Sequence, residues 1–283
     1  MIRMAAPVCI FAAVLASAMA VAAEEQTAPR VLLFTKSAGF EHSVIKETRR
    51  QPVSHAEGIL RSITDEMGAV LESTKDGRRI NKETLSSVDV VIFYTSGNLT
   101  EKGNDGHPPV TPEGMNALFD WIRGGGGFIG LHAATDTFKS EGGATTAFTE
   151  MIGGEFVTHG EQFKASVRKV SPDHAAVRAL PDVWAVQDEW YMFARLNKEH
   201  MHVLALLETG GGGNPQKMYQ VPDYPIIWCR SYGDGRALYN GLGHREDVWE
   251  HPVFRQMLHD HILWAQGRGD AHTEPNYAEV VPE

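Results

Sequence analysis

Short, uniformly apolar runs alternate with amphipathic stretches along the first half of the chain. Val31-Leu32-Leu33-Phe34-Thr35 carries no polar alternation and reads as a strand buried on both faces. It ends in Lys36-Ser37-Ala38-Gly39-Phe40-Glu41-His42, a glycine-containing loop. Ile59, Leu60, Ile63 and Met67 then recur at helical spacing, and Gly68 is placed to close that helix. Ala69 to Ser73 reads as a second strand and Val88 to Tyr94 as a third, stronger one. Thr111-Pro112-Glu113 opens the next helix with a hydroxyl cap and a first-turn proline, followed by Met115, Leu118, Phe119 and Ile122 on one face. Four glycines, 124 to 127, stop it. They precede a strand and lack a Lys-Ser/Thr ending, so they do not form a phosphate loop. Phe128-Ile129-Gly130-Leu131 follows as a fourth strand with His132 at its tip.

The second half is more mixed. Ala165 to Val170 alternates like a half-exposed strand, Val203 to Leu207 is a buried one, and Gly233-Asp234-Gly235 marks a hairpin between Tyr224–Arg230 and Arg236–Leu242. A final helix near His251 to Gln266 carries Phe254, Met257, Leu258, Ile262 and Trp264 as its apolar positions, and His259 and His261 are expected to face solvent. The alternation predicts an α/β fold with a mostly parallel sheet, helices on both faces and some antiparallel strands in the C-terminal half. Ligands of such sheets bind beyond the C-terminal strand ends. The expected organisation is a leader over 1–23, a linker over 24–29, one domain over 30–267, and a polar, frayed tail over 268–283.

The leader rests on Arg3 followed by the apolar run Met4 to Ala23, with small residues at 18, 20 and 22 before Glu24 and Glu25. This is the pattern of a secretory signal peptide cut between Ala23 and Glu24, with an uncleaved membrane anchor as the alternative, and cleavage implies a secreted or periplasmic protein with no further membrane contact. The chain is otherwise balanced for a core, with 42% hydrophobic and 22% charged residues. Its net charge of −10 and its lack of basic clusters argue against nucleic acid or anionic lipid as partner. Cys9 leaves with the leader, so Cys229 stands alone within an apolar run and reads as a buried small hydrophobe.

Chemistry points to histidines at strand ends. His42, His132, Glu189 and His244 each follow or adjoin a core element, in loops with other polar or glycine residues. Three imidazoles and a carboxylate suit Zn²⁺ or a similar divalent ion, although no His-x-x-x-His or Cys-x-x-Cys spacing supports the set. The same residues also suit acid–base work on a sugar. His132, Glu189, Asp136 and His159 are the candidate catalytic groups, with a helix N-cap as the plainer role for Asp136. Trp190 and Tyr191 are either sugar-stacking or core aromatics. No Gly-x-Ser-x-Gly elbow is present, and no nucleotide cofactor is expected.

Five segments together resemble the ThuA-like (trehalose utilisation) family: Phe34 to His42, Gly130-Leu131-His132-Ala133-Ala134-Thr135-Asp136, Gly153-Gly154-Glu155-Phe156, Asp188-Glu189-Trp190-Tyr191 and Gly241-Leu242-Gly243-His244. The resemblance covers about residues 30 to 267. It implies a flavodoxin-like sheet of the class I glutamine amidotransferase type, with His132 where that fold carries its nucleophilic cysteine. Thiol chemistry is therefore not expected. It also implies a small-molecule carbohydrate partner of the trehalose or 3-keto-glycoside type. The role of the chain is then enzymatic or, alternatively, that of a carbohydrate-binding accessory module.

Overall fold

The structure, a computed structural model, describes residues 28–140, 142–268 and 272–282. The predicted leader and its cleavage point lie outside these residues. Among the described residues no helix is long and apolar enough to cross a bilayer.

In chain order the elements are β1 (Arg30–Phe34), α1 (His55–Glu66), β2 (Val70–Thr74), α2 (Lys82–Leu85), β3 (Val90–Phe93), α3 (Pro112–Arg123), β4 (Gly127–Leu131), α4 (Ala147–Ile152), β5 (Glu155–His159), β6 (Phe163–Lys169), β7 (Val183–Asp188), β8 (Tyr191–Ala194), β9 (His202–Glu208), β10 (Tyr224–Tyr232), β11 (Gly235–Asn240), α5 (Glu246–Glu250), α6 (Pro252–Ala265) and α7 (Tyr277–Val280). Nine strands form one sheet in the order β2-β1-β3-β4-β11-β10-β9-β6-β7, and β5 pairs with β8 separately. The pairings from β2 to β11 are parallel and those from β11 to β7 antiparallel. Only β10 and β6 therefore run against the rest, and the ends of β1, β4, β11 and β7 share one edge.

Strand residues alternate between two cores. In β1, Val31 and Leu33 pack with Leu60 of α1 and Leu258 of α6, whereas Leu32 and Phe34 pack with Leu118 and Ile122 of α3. Both faces are covered, which explains the uninterrupted apolar runs. Thr111 caps α3 by accepting the Gly114 N–H. Gly127 lets β4 pass α6, since a side chain there would meet the Ala265 carbonyl oxygen at 2.3 Å.

The far end of the sheet curls back. Four strand spacings separate β11 from β7, about 19 Å in a flat sheet. Yet the Gly243 N–H beyond β11 donates to Asp188 Oδ2 at the end of β7 over 2.7 Å. Register shifts at Pro225, Ile227 and Trp228 break the β9–β10 ladder and contribute to the bend.

Two sequence expectations change. His261 lies fully buried on α6, donating from Nδ1 to the Ala176 carbonyl and accepting from Asn240 Nδ2 at Nε2. The polar tail is not frayed over 272–282. Asn276 closes both the N–H and the carbonyl of Val203, like a one-residue strand, and Tyr277 and Val280 pack on the core.

Candidate metal and catalytic centre

His42, His132, Glu189 and His244 meet at the shared strand edge, each offering a donor atom within 4.8 Å of the others. His42 follows β1, His132 ends β4, His244 follows β11 and Glu189 follows β7. They are drawn together because parallel strands deliver their C-terminal ends to one side, and because the curl carries β7 back to the centre.

Local structure fixes each group. His132 takes a left-handed φ of +39°, a conformation that bulky residues adopt at a cost of order 1–3 kcal/mol. Its carbonyl accepts the Tyr239 hydroxyl at 2.7 Å, and its ring lies 4.2 Å from that of Tyr191. His132 Nδ1 sits 3.0 Å from the Gly241 carbonyl, so Nδ1 carries the hydrogen and the Nε2 lone pair faces the cluster. His244 enters from Gly243, whose φ is +108°. A Cβ at Gly243 would press on Phe254 and Trp249 at 3.1 and 3.2 Å, so only glycine fits comfortably. Tyr94 and the Trp249 indole both donate to the Gly243 carbonyl. Asp188 accepts from the Glu189 and Gly243 N–H groups, which ties Glu189 to the His244 loop.

Three of the donor atoms, on His132, Glu189 and His244, are spaced as a small cation requires. Glu189 Oε2 lies 3.4 Å from His132 Nε2 and 3.1 Å from His244 Nδ1, and the two histidine nitrogens are 3.3 Å apart. Ligands about 2.0–2.1 Å from a tetrahedral ion sit about 3.3 Å from one another. His42 Nδ1 is buried with no hydrogen-bond partner. Burial, reinforced by the neighbouring His132 and His244, pushes its pKa down to about 2, so it stays neutral with a lone pair available. For His244, burial pulls downward, but its hydrogen bond to Glu189 and that residue's charge prevail and hold it above its ordinary value. Burial favours the neutral form of Glu189, yet the close approach of His132 and His244 holds it well below the usual carboxylate range. An ionised carboxylate and a neutral imidazole such as His42 are the ligand states that a divalent ion takes, whereas His244 would release its proton on binding one.

The other predicted residues sit around this centre. His159, on the half-exposed strand β5, reaches Glu189 Oε1 at 3.2 Å and the Gly160 carbonyl at 3.0 Å, both through Nδ1. Its Nδ1 therefore carries the hydrogen, and Nε2 is free as an acceptor. Asp136 does not join the donor set. It ends the tight turn His132–Asp136 instead of capping a helix, and it pairs with Lys139 Nζ at 3.3 Å. Burial raises its pKa despite Lys139. Trp190 is a core aromatic whose indole donates to the Phe163 carbonyl, whereas Tyr191 faces the site with its hydroxyl 3.4 Å from His42 Nε2. Cys229 is buried and burial raises its thiol pKa, far from nucleophilic character. The sequence reading did not identify the positioning roles of Asp188, Tyr94 and Trp249. The only signal for Asp188 was its place in Asp188-Glu189-Trp190-Tyr191.

Comparison with known proteins places this geometry in a lineage. No curated protein matches the chain by sequence. Among solved structures, a ThuA-like protein from Bacteroides uniformis superposes with a TM-score of 0.65 at 20% identity, over 86% of this chain and 94% of its own. One from Parabacteroides merdae gives 0.62 at 17% identity, over 87% and 92%. At these identities the likeness establishes the fold. The family model described as "ThuA: Trehalose utilisation" matches residues 30–265, which span β1 to α6 and hold every residue of the centre. The chain belongs to the ThuA (trehalose utilisation) family.

Proposed function

We propose that this protein is an exported enzyme acting on a keto-sugar or glycoside, with its chemistry at the His42–His132–Glu189–His244 centre on a flavodoxin-like core. The observation that carries the reading is the convergence of four donor atoms within 4.8 Å, from four separate loops, beside a histidine with a free Nε2. Family membership favours a carbohydrate, and the apolar leader over 4–23 favours export.

His42, His132, Glu189 and His244 would hold a divalent ion such as Zn²⁺. When bound, such an ion supplies Lewis acidity toward a carbonyl or hydroxyl oxygen. The remaining work falls to the chain's own groups. His159 is aimed by Glu189 Oε1 and the Gly160 carbonyl, so that Nε2 takes a proton from the substrate. In a 3-keto-glycoside that proton is the C2 hydrogen, acidified by the adjacent ketone. Its electron pair forms a C1–C2 double bond as the C1–O bond breaks, and the departing alkoxide takes up a proton to leave as an alcohol. Tyr191 packs over His132 and limits its movement.

Metal content of the purified protein, compared with His132→Ala, is the decisive test. One divalent ion per chain, lost in the variant, supports the centre and directs turnover assays to keto-glycosides. No ion in either protein after incubation with Zn²⁺ or Mn²⁺ removes the metal from the proposal. Sugar binding without turnover would reduce the protein to an accessory binding module.

A further inference from the structure

His42 is the least anchored of the four groups at the centre. His132 Nδ1 is held by the Gly241 carbonyl, and His244 Nδ1 lies 3.1 Å from Glu189. His42 Nδ1 has no hydrogen-bond partner among the described residues, and its Nε2 has only the Tyr191 hydroxyl at 3.4 Å. Its ring packs edge-on against His132 and His244, with centroids 5.0 and 5.1 Å away, and against Phe40, which is itself 66% exposed. The direction of the ring therefore depends on this packing and on the main chain that carries it.

That main chain is gripped from the edge of the sheet. Lys75 follows β2, the outermost strand, and reaches the loop after β1 with only 3% of its side chain exposed. Its Nζ donates to Glu41 Oε1 and to the Ile45 carbonyl, both at 2.9 Å. The two acceptors stand on either side of His42 in the chain. Between them the Ile45 N–H closes a tight turn on the His42 carbonyl at 3.2 Å. One ammonium thus fixes both ends of the segment Glu41–Ile45.

A buried lysine adds little to stability for its own sake. Lysine is almost never fully buried unless paired, and an apolar side chain in place of a buried ion pair is often neutral or stabilising. An apolar side chain cannot select two acceptors and so fix the conformation of the segment between them. The charged donor also makes its hydrogen bonds roughly twice as strong as neutral ones.

We infer that Lys75 is a positioning residue for His42: it holds Glu41–Ile45 in the arrangement that turns the His42 ring into the centre. The inference rests on the metal reading of that centre and adds an outer group to it.

Competition titration of the metal-stripped protein with Zn²⁺ and a chelating indicator tests it. Lys75→Met is expected to weaken Zn²⁺ binding about 10–100-fold, the usual effect of removing an outer contact of a metal site. Lys75→Arg still has donors for both acceptors and should keep most of the affinity. A double-mutant cycle separates positioning from a general effect on the fold. In a His42→Ala background, Lys75→Met should weaken binding no further, because the group it positions is gone. Undiminished affinity in Lys75→Met, or the same fold-loss with and without His42, overturns the inference and leaves the centre standing. Glu41→Ala removes one arm of the grip at a side chain already 22% exposed, and it carries the same cycle if Lys75→Met does not fold. Failure of the unaltered protein to bind Zn²⁺ overturns the metal reading, and this inference with it.

Discussion

Asp188 and Gly243 lie 55 residues apart, and the carboxylate of the first accepts the backbone N–H of the second at 2.7 Å. The other oxygen of Asp188 accepts the Glu189 N–H, so one buried side chain sets the spacing between Glu189 and His244. Asp188→Asn keeps the shape but turns an NH₂ donor toward one of these N–H groups. Loss of such supporting contacts costs about 10–100-fold in metal affinity. Competition titration with a chelating indicator should read that loss, and an unchanged affinity would show that Asp188 positions nothing.

Buried neutral histidines make the fold sensitive to acid. Burial pushes both His174 and His261 down to about 4, from an ordinary 6.5. The unfolded chain therefore binds more protons than the folded one between these values, and stability must fall as pH drops from 6.5 toward 4. Each histidine contributes on the order of 1–3 kcal/mol to that fall. Urea midpoints at pH 7.5 and pH 5 should differ accordingly. His261→Gln can still donate to the Ala176 carbonyl and accept from Asn240, and it should flatten the dependence.

Cys229 faces the core from the centre of β10, and its thiol is held protonated by burial. Peptide mapping should find Cys229 unmodified by iodoacetamide in native protein and fully modified in denaturant. Rapid modification under native conditions would contradict the packing of β10 between β9 and β11.

Asn276 should be the anchor of the C-terminal segment. It accepts the Val203 N–H at 2.6 Å and donates to the Val203 carbonyl at 3.1 Å. Asn276→Ala leaves both groups of a buried strand residue unpaired, at a cost of about 1–3 kcal/mol. Limited proteolysis should then release the segment carrying Asn276 much faster than in the parent protein.

The convergence of His42, His132, Glu189 and His244 was foreshadowed in the sequence because each sits where a core element gives way to a loop with glycine or polar residues, the place where parallel sheets present their loops. Asp188 was not, because its role lies in two backbone contacts made only when the sheet curls, and curvature leaves no periodic trace. His261 could have been placed. Phe254, Met257, Leu258, His261, Ile262 and Ala265 form one helical stripe, all of it buried. Residue type was weighed there above position. The tail was misjudged for a related reason: its polarity is real, but Asn276 uses that polarity to finish the exposed side of β9.

The curl of the sheet has a consequence for how the centre comes into being. His42 and His244 enclose some two hundred residues, and the donor set closes only after β7 has swung back against the loop beyond β11. No fragment ending before residue 244 contains all four groups. Any ligand that engages them all thus recognises the finished fold alone and raises its stability as a single unit. Saturation of the centre is therefore also a measure of how much of the population has completed folding.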